Sequence, residues 1–194
     1  MSEKVLSKSK ISTKQITSIG MLFAVTIVLG ATGWGFIPIP PLKLTIMHIP
    51  VIIASILEGP IVGALTGLLF GIFSMFQAIN TPTPVSFIFL NPIVAVLPRI
   101  LIGVTPYYAY KLIKTRWKKV NLGLSVLIGS FTNTIGVMGL IYLIYIDEYA
   151  NALHISHSLA VKTILFYILN GFVSGSFAVV VSMPIIMAVK KIRK

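Results

Sequence analysis

The sequence predicts an all-α integral membrane protein with six transmembrane helices and both termini on the cytoplasmic side. Three observations predict it. The chain is 56% hydrophobic and only 10% charged, with a mean hydropathy of +0.97, whereas a water-soluble domain carries about 25% charged residues. Its 194 residues suit one compact membrane domain, at roughly 20 residues per span plus loops. Thirteen of its 16 basic residues fall in three clusters, and basic loops stay on the cytoplasmic side. The net charge of +12 does not argue for nucleic acid. That function needs a basic face on a polar domain, and the polar surface here is too small. Cysteine is absent, which excludes disulfides and thiol chemistry.

The clusters set the topology. Lys4, Lys8, Lys10 and Lys14 form the first, and Lys111, Lys114, Arg116, Lys118 and Lys119 the second. Lys190, Lys191, Arg193 and Lys194 form the third, and only Lys43, Arg99 and Lys162 stand apart. Their density also suits an anionic inner leaflet. With all three clusters inside, an even number of spans must separate any two of them. Apolar runs at 15–33, 45–79, 87–110, 120–146 and 159–189 are the candidates. The run 45–79 would be about 50 Å long as one helix, too long for a core of about 30 Å. Glu58-Gly59-Pro60 lies inside it. Gly-Pro is a turn signal, and the residue before proline resists the helical conformation. Splitting there gives spans 45–58 and 60–79, and parity holds. The whole chain, 1–194, then forms one membrane domain. Span two is short, so either the bilayer thins there or the helix begins earlier, near Leu42.

Each element has its own signals. Span one is too long for a signal-peptide core and lacks a cleavage site of small residues. It carries Gly20 and Ala24, a small-xxx-small pair that serves either internal packing or docking of another membrane protein. The first outer loop, 33–44, is rich in Gly, Pro and aromatics, and Trp34 and Phe36 are either interfacial belt residues or parts of a lid. Prolines stiffen this loop and the next, 80–86. Span three carries Gly59, Gly63, Gly67 and Gly71 at a spacing of four. That stripe permits close helix packing. Lys162 snorkels at the outer edge of span six.

An ionisable residue inside a span costs a few kcal/mol and is a functional candidate by default. Arg99 is the one well inside, about 20 Å down span four. Asn133 in span five and Asn170 in span six fall at similar depths, and Asn91 lies about two turns above Arg99. These residues either satisfy one another and a backbone broken at Pro92 and Pro98, or they line a polar pocket. An arginine among amides suits an anionic or carbonyl-rich solute. His48, at the start of span two, is either packed or a ligand contact. His154 and His157 are too few for a metal site, so no metal and no cofactor are expected.

The chemistry of catalysis is missing. The sequence has no GxxxxGK[ST] phosphate loop, no HExxH and no GxSxG elbow. Its four acids, none at the bilayer centre, argue against metal-dependent lipid chemistry and against a carboxylate proton relay. No inverted repeat is evident. The residues thus point to a small solute-binding membrane protein, not an enzyme, that lacks its own energy source.

Two segments carry a resemblance. Residues 45–64, Thr-Ile-Met-His-Ile-Pro-Val-Ile-Ile-Ala-Ser-Ile-Leu-Glu-Gly-Pro-Ile-Val-Gly-Ala, running on to Gly71, and Pro98-Arg99-Ile-Leu-Ile-Gly103 resemble motifs of the substrate-binding subunits of energy-coupling factor (ECF) transporters. Thr132-Asn133-Thr134 fits their fifth span. The resemblance covers nearly the whole chain. It implies a multi-pass protein of a prokaryotic plasma membrane that captures a small-molecule vitamin under the first and third loops. It implies docking to a transmembrane coupling subunit through Gly20 and Ala24, energy from two cytoplasmic ATPases, and release by toppling in the membrane. The wording looks most similar to the pantothenate-type branch, with riboflavin and hydroxymethylpyrimidine or pyridoxine-like cargo as alternatives. A structural or regulatory membrane protein is the other alternative. On this resemblance the substrate contacts are Trp34, Lys43, His48, Asn91, Arg99, Asn133 and Asn170. Many relatives carry a Glu where this chain has Ser174, which favours an anionic cargo.

Overall fold

The computed structural model describes residues 11–39 and 42–193, and the side chains of 37–44 are outside that description. Lys4, Lys8, Lys10 and Lys194 therefore lie outside the described residues. Among the described residues the regular structure is helical apart from one short ribbon. α1 (Thr13–Ala31) starts at a capping box in which Ser12 and Gln15 satisfy each other's backbone N–H groups. An antiparallel pair follows, β1 (Phe36–Ile39) and β2 (Leu42–Thr45), with Phe36 opposite Thr45. α2 (Ile49–Glu58) and α3 (Pro60–Asn80) are separated by Gly59 alone. Gly59 has φ +99° there, which a side chain would strain, and Pro60 opens α3 with its φ already set.

Residues 86–112 fold as three pieces, not as one continuous span. They are a 3-10 turn (Ser86–Leu90), α4 (Pro92–Ala95) and α5 (Leu97–Leu112). α6 (Lys118–Ile144), the short α7 (Ile146–Ala152) and α8 (His157–Ile192) complete the chain. Among the described residues, five segments are long and apolar enough to cross a membrane, namely α1, α3, α4–α5, α6 and α8.

α2 is the exception. Its 10 residues reach only about 15 Å. Every residue from Ile49 to Ile56 is buried, packed by α1, α3, α5 and α8. A helix apolar all round is a core helix. Neither sequence-based explanation of its shortness is needed. Residues 42–45 form a strand, so the helix does not start earlier. The ribbon instead occupies the height that α2 leaves. The ribbon is pinned where the Gly35 N–H donates to the Leu29 carbonyl and the Ile46 N–H to the Gly35 carbonyl, each at 2.8 Å.

Between helices in lipid there is little hydrophobic drive, so close backbone approach matters more. On α3, Gly63, Gly67 and Gly71 face α4–α5. A Cβ on Gly63 would fall 2.1 Å from the Gly103 carbonyl oxygen, and one on Gly67 2.1 Å from that of Arg99. One on Gly71 would meet the Val96 Cα at 2.7 Å. Gly59 differs from the other three: nothing lies near it, and it serves the turn.

Glu58 ties one end of the bundle together. Its carboxylate pairs with Arg193 at the end of α8 and accepts from Ser18 of α1 at 3.2 Å. The ends of α5 and α8 and the start of α6 meet at this same end. The described members of all three basic clusters therefore share one end of the molecule.

Candidate ligand site at the waist of the bundle

Two apolar clusters fill the interior. One surrounds α2 with Phe70, Ile102, Leu122, Val126, Ala178 and Ile186. The other lies at the far end and includes Val94, Val137, Ile141, Tyr149 and Ile164. Between the two, α5, α6 and α8 each place buried polar residues: Arg99, then Ser130, Asn133 and Thr134, then Ser174. Ser125 of α6 and Ser182 of α8 are buried as well, beside the first cluster.

Arg99 has a reason in the backbone. Pro98 has no N–H and cannot donate to the carbonyl four residues back, that of Val94. Arg99 supplies the missing donor, its Nη1 giving a 2.9 Å bond to the Val94 oxygen. The side chain is 4% exposed, and its guanidinium carbon lies 5.5 Å from the ring centres of both Phe70 and Phe89. That distance supports cation–π attraction. Its Nε is buried with no hydrogen-bond partner. Among the described residues, no carboxylate lies within ion-pair distance of it. Arg99 is not about 20 Å down one straight span, because the break at Val96 puts it in the first turn of α5.

His48 joins this region. Its ring is buried, its Nε2 shares a 3.0 Å hydrogen bond with the Ser130 hydroxyl, and it lies within electrostatic reach of Arg99. Asn133 is on the same face of α6, one turn beyond Ser130, and its Oδ1 is buried without a partner. The Ser174 hydroxyl donates to the Thr45 carbonyl at 3.3 Å, which ties α8 to the ribbon.

The other candidates lie apart from this group. Asn91 caps α4, with Oδ1 accepting from the Ile93 N–H at 2.9 Å and Nδ2 donating to the Tyr145 hydroxyl at 3.0 Å. It does not share one helix face with Arg99, since the chain breaks between them. Asn170 donates back to its own helix at the Phe166 carbonyl, 2.8 Å away. Phe166, Leu169, Phe172 and Val173 around it all face outward. Trp34 is 81% exposed between α1 and the ribbon. Lys43 falls in β2 opposite Pro38, and its side chain is not among those described. Gly20 and Ala24 lie on the outward face of α1, where a Cβ on Gly20 would meet nothing within 4 Å. His157 pairs with Asp147 at 2.8 Å, while His154 occupies a left-handed turn.

Sequence reasoning missed Ser130, Thr45, Phe70 and Phe89. A signal existed for Ser130, three residues before Asn133 and so one turn away on the same face. The carbonyl partner of Arg99 was equally deducible from the Pro98 rule.

The arrangement offers a buried cation whose Nε has no partner, an unpartnered amide oxygen and aromatic walls. It suits a solute that carries an anion and hydrogen-bonding groups. The family described as "ECF transporter, substrate-specific component" matches residues 14–186. The chain is 34% identical over 158 residues to the pantothenic acid transporter PanT of Lactococcus lactis subsp. cremoris (strain MG1363), covering 72% of this chain and 77% of that protein. It is 30% identical over 136 residues to the pantothenate transporter PanT of Leuconostoc mesenteroides subsp. mesenteroides, covering 65% and 67%.

Proposed function

The chain belongs to the substrate-specific components of ECF transporters, and we propose on that premise that it captures pantothenate. Such components bind a vitamin and work with a membrane-embedded coupling subunit and ATPases. The chain is accordingly a multi-pass protein of the bacterial plasma membrane. Pantothenate carries a carboxylate, an amide and two hydroxyls beside a dimethyl-substituted carbon. The observation that carries the proposal is the buried Arg99 with its free Nε and no acidic partner among the described residues. A buried unpaired cation is costly, and a carboxylate ligand relieves that cost with a charge-assisted hydrogen bond. Asn133 and Ser130 provide groups for the amide and hydroxyls, and Phe70 and Phe89 provide surface for the methyl groups. His48 completes the contacts at this site, Trp34 and Lys43 belong to the segment that covers it, and Asn91 and Asn170 lie apart from it. In this reading the ribbon and the 80–86 segment cover the site.

The rest of the cycle follows the family. Six segments, with α2 as the second, span or enter the bilayer, and the basic end faces the cytoplasm. The open face at Gly20 and Ala24 docks the coupling subunit. Two cytoplasmic ATPases drive toppling, which releases the vitamin inside. Large side chains at Gly20 and Ala24 then abolish co-purification with the coupling subunit.

The deciding experiment is calorimetric titration of purified protein with pantothenate and with pantothenol, in which a neutral alcohol replaces the carboxylate. Pantothenate is expected to bind at least about 100-fold more tightly, as for a desolvated charge pair. Equal affinity for the two, or a response only to riboflavin or a pyrimidine, overturns the reading. The bond from Arg99 to the Val94 carbonyl favours a second reading, a structural protein in which Arg99 only mends a broken helix. In that case Arg99→Ala lowers stability and no vitamin binds.

A further inference from the structure

At the basic end, the C-terminal parts of α5 and α8 and the first turn of α6 border an open cavity of about 360 Å³. Four lysines line it: Lys118, Lys119, Lys190 and Lys191. Among the described residues none of them pairs with an acid. Among the described residues Glu58 is the one acid at this end, and it is held by Arg193, while Asp147 and Glu148 lie at the opposite end. Lys190 rests its ammonium 4.0 Å from the centre of the Tyr110 ring.

Two more features draw negative charge to this place. Trp117 caps α6 without a side-chain hydrogen bond. The first-turn N–H groups of Lys118 and Lys119 therefore lack intrahelical partners, and the positive end of a 27-residue helix points here. The remaining wall is apolar, made of the buried Leu122 and the part-exposed Met187. Leu112, Trp117 and Ile192 stand exposed around the same end, as residues at a lipid boundary do.

We propose that this cavity binds the phosphodiester headgroup of an anionic phospholipid. The phosphate sits among the four lysines and the α6 N-terminus, and the glycerol and first acyl carbons lie on Leu122 and Met187. The lipid source is favoured over a free phosphate ion by the apolar wall and the surrounding ring of exposed apolar side chains. A basic pocket between helix ends is where such headgroups are held. The proposal needs only that these helix ends reach a bilayer surface. It does not depend on the identity of the vitamin.

The test is native mass spectrometry of the full-length protein in mixed detergent micelles. The protein is titrated with phosphatidylglycerol, with phosphatidylcholine and with inorganic phosphate. Phosphatidylglycerol is expected to be retained at least about tenfold more than phosphatidylcholine. The combined Lys118→Gln, Lys119→Gln, Lys190→Gln and Lys191→Gln variant loses that preference. Lys111→Gln with Lys114→Gln, at the same end but outside the cavity lining, keeps it. An unchanged thermal midpoint shows that each variant is folded, and if the combined variant does not fold, Lys119→Gln and Lys191→Gln singly should each give a partial loss. The proposal is overturned by equal retention of the two lipids, or by the same loss in both multiple variants, which means diffuse attraction only. It is also overturned if inorganic phosphate displaces phosphatidylglycerol at equal concentration, which makes the cavity an ion site.

Discussion

The two ends of the bundle are built on opposite plans. At the basic end α1, α5, α6 and α8 run to regular termini, the lysines stay at the surface, and the largely buried Glu58 is paired with Arg193. At the other end the backbone is interrupted repeatedly, by the ribbon, by breaks at Asn91 and Val96, and by the α7 turn. Just beneath those interruptions lie Arg99, Asn133 and Ser130. Irregular backbone at membrane depth is tolerated only where protein or a cavity surrounds it. The difference teaches that topology and ligand chemistry are separated along the membrane normal. On the proposed reading, one end orients the protein and the other recognises the solute. Consistency of local signals is expected to fail at functional sites, and here it fails at one end only.

The largest expected break in that contrast is Arg99→Ala. It removes both the ligand charge and the donor to the Val94 carbonyl. Pantothenate affinity should fall at least about 100-fold, some 3 kcal/mol, measured by calorimetry. Arg99→Lys keeps the charge but loses the planar fork, so it should recover only part of the affinity. Unchanged binding in Arg99→Ala would remove the solute from this end of the molecule.

Next is Gly67→Ala. Its new methyl would meet the Arg99 carbonyl oxygen, which is backbone and cannot swing aside. Overpacking of this kind costs about 2 kcal/mol. Unfolding in a mixed micelle should show that loss, and vitamin affinity should fall with it because α5 is displaced. The same change at Gly20 meets open space and should leave stability unchanged.

These two positions also mark how far the sequence could be read. Arg99 stood out because an ionisable residue in an apolar run is costly and calls for a partner, and its burial and its bond to the Val94 carbonyl match that expectation. The glycine stripe was legible through its spacing, though Gly59 proved to belong to the turn and not to the packing. Asn170 was not legible. Counting residues along a helix gives height, but the azimuth depends on neighbouring helices, and Asn170 points to the periphery. α2 was not legible either. In a membrane, lipid-facing and core-facing helices are equally apolar, so hydropathy alone could not distinguish a buried half-length helix from a thin span. The ribbon that fills its height has no hydropathy signal of its own.

A smaller effect sharpens the contrast from within the site. Asn133 buries a carbonyl oxygen with no partner, which costs the empty protein about 1–3 kcal/mol. Asn133→Leu removes that cost, so the empty protein should melt at the same or a higher temperature. Pantothenate affinity should fall about tenfold, the value of one hydrogen bond. A parallel fall of stability and affinity would mean that the amide is structural.

The smallest effect belongs to the basic end. Glu58 pairs with Arg193 and accepts from Ser18, and its main-chain carbonyl accepts from Gln15 at 3.5 Å. Its carboxylate is largely buried, but Arg193 is a third exposed, so solvent screens much of the attraction. Glu58→Gln keeps an acceptor for Ser18 and deletes only the charge. Partly exposed ion pairs contribute up to about 1 kcal/mol, so the stability loss should stay below that and shrink further in high salt. Vitamin affinity should not change, because α2 lies between Glu58 at one of its ends and His48 at the other. A tenfold loss of affinity in Glu58→Gln would mean that the pairing at the basic end is felt through α2 at the ligand layer, and that the two ends work as one device.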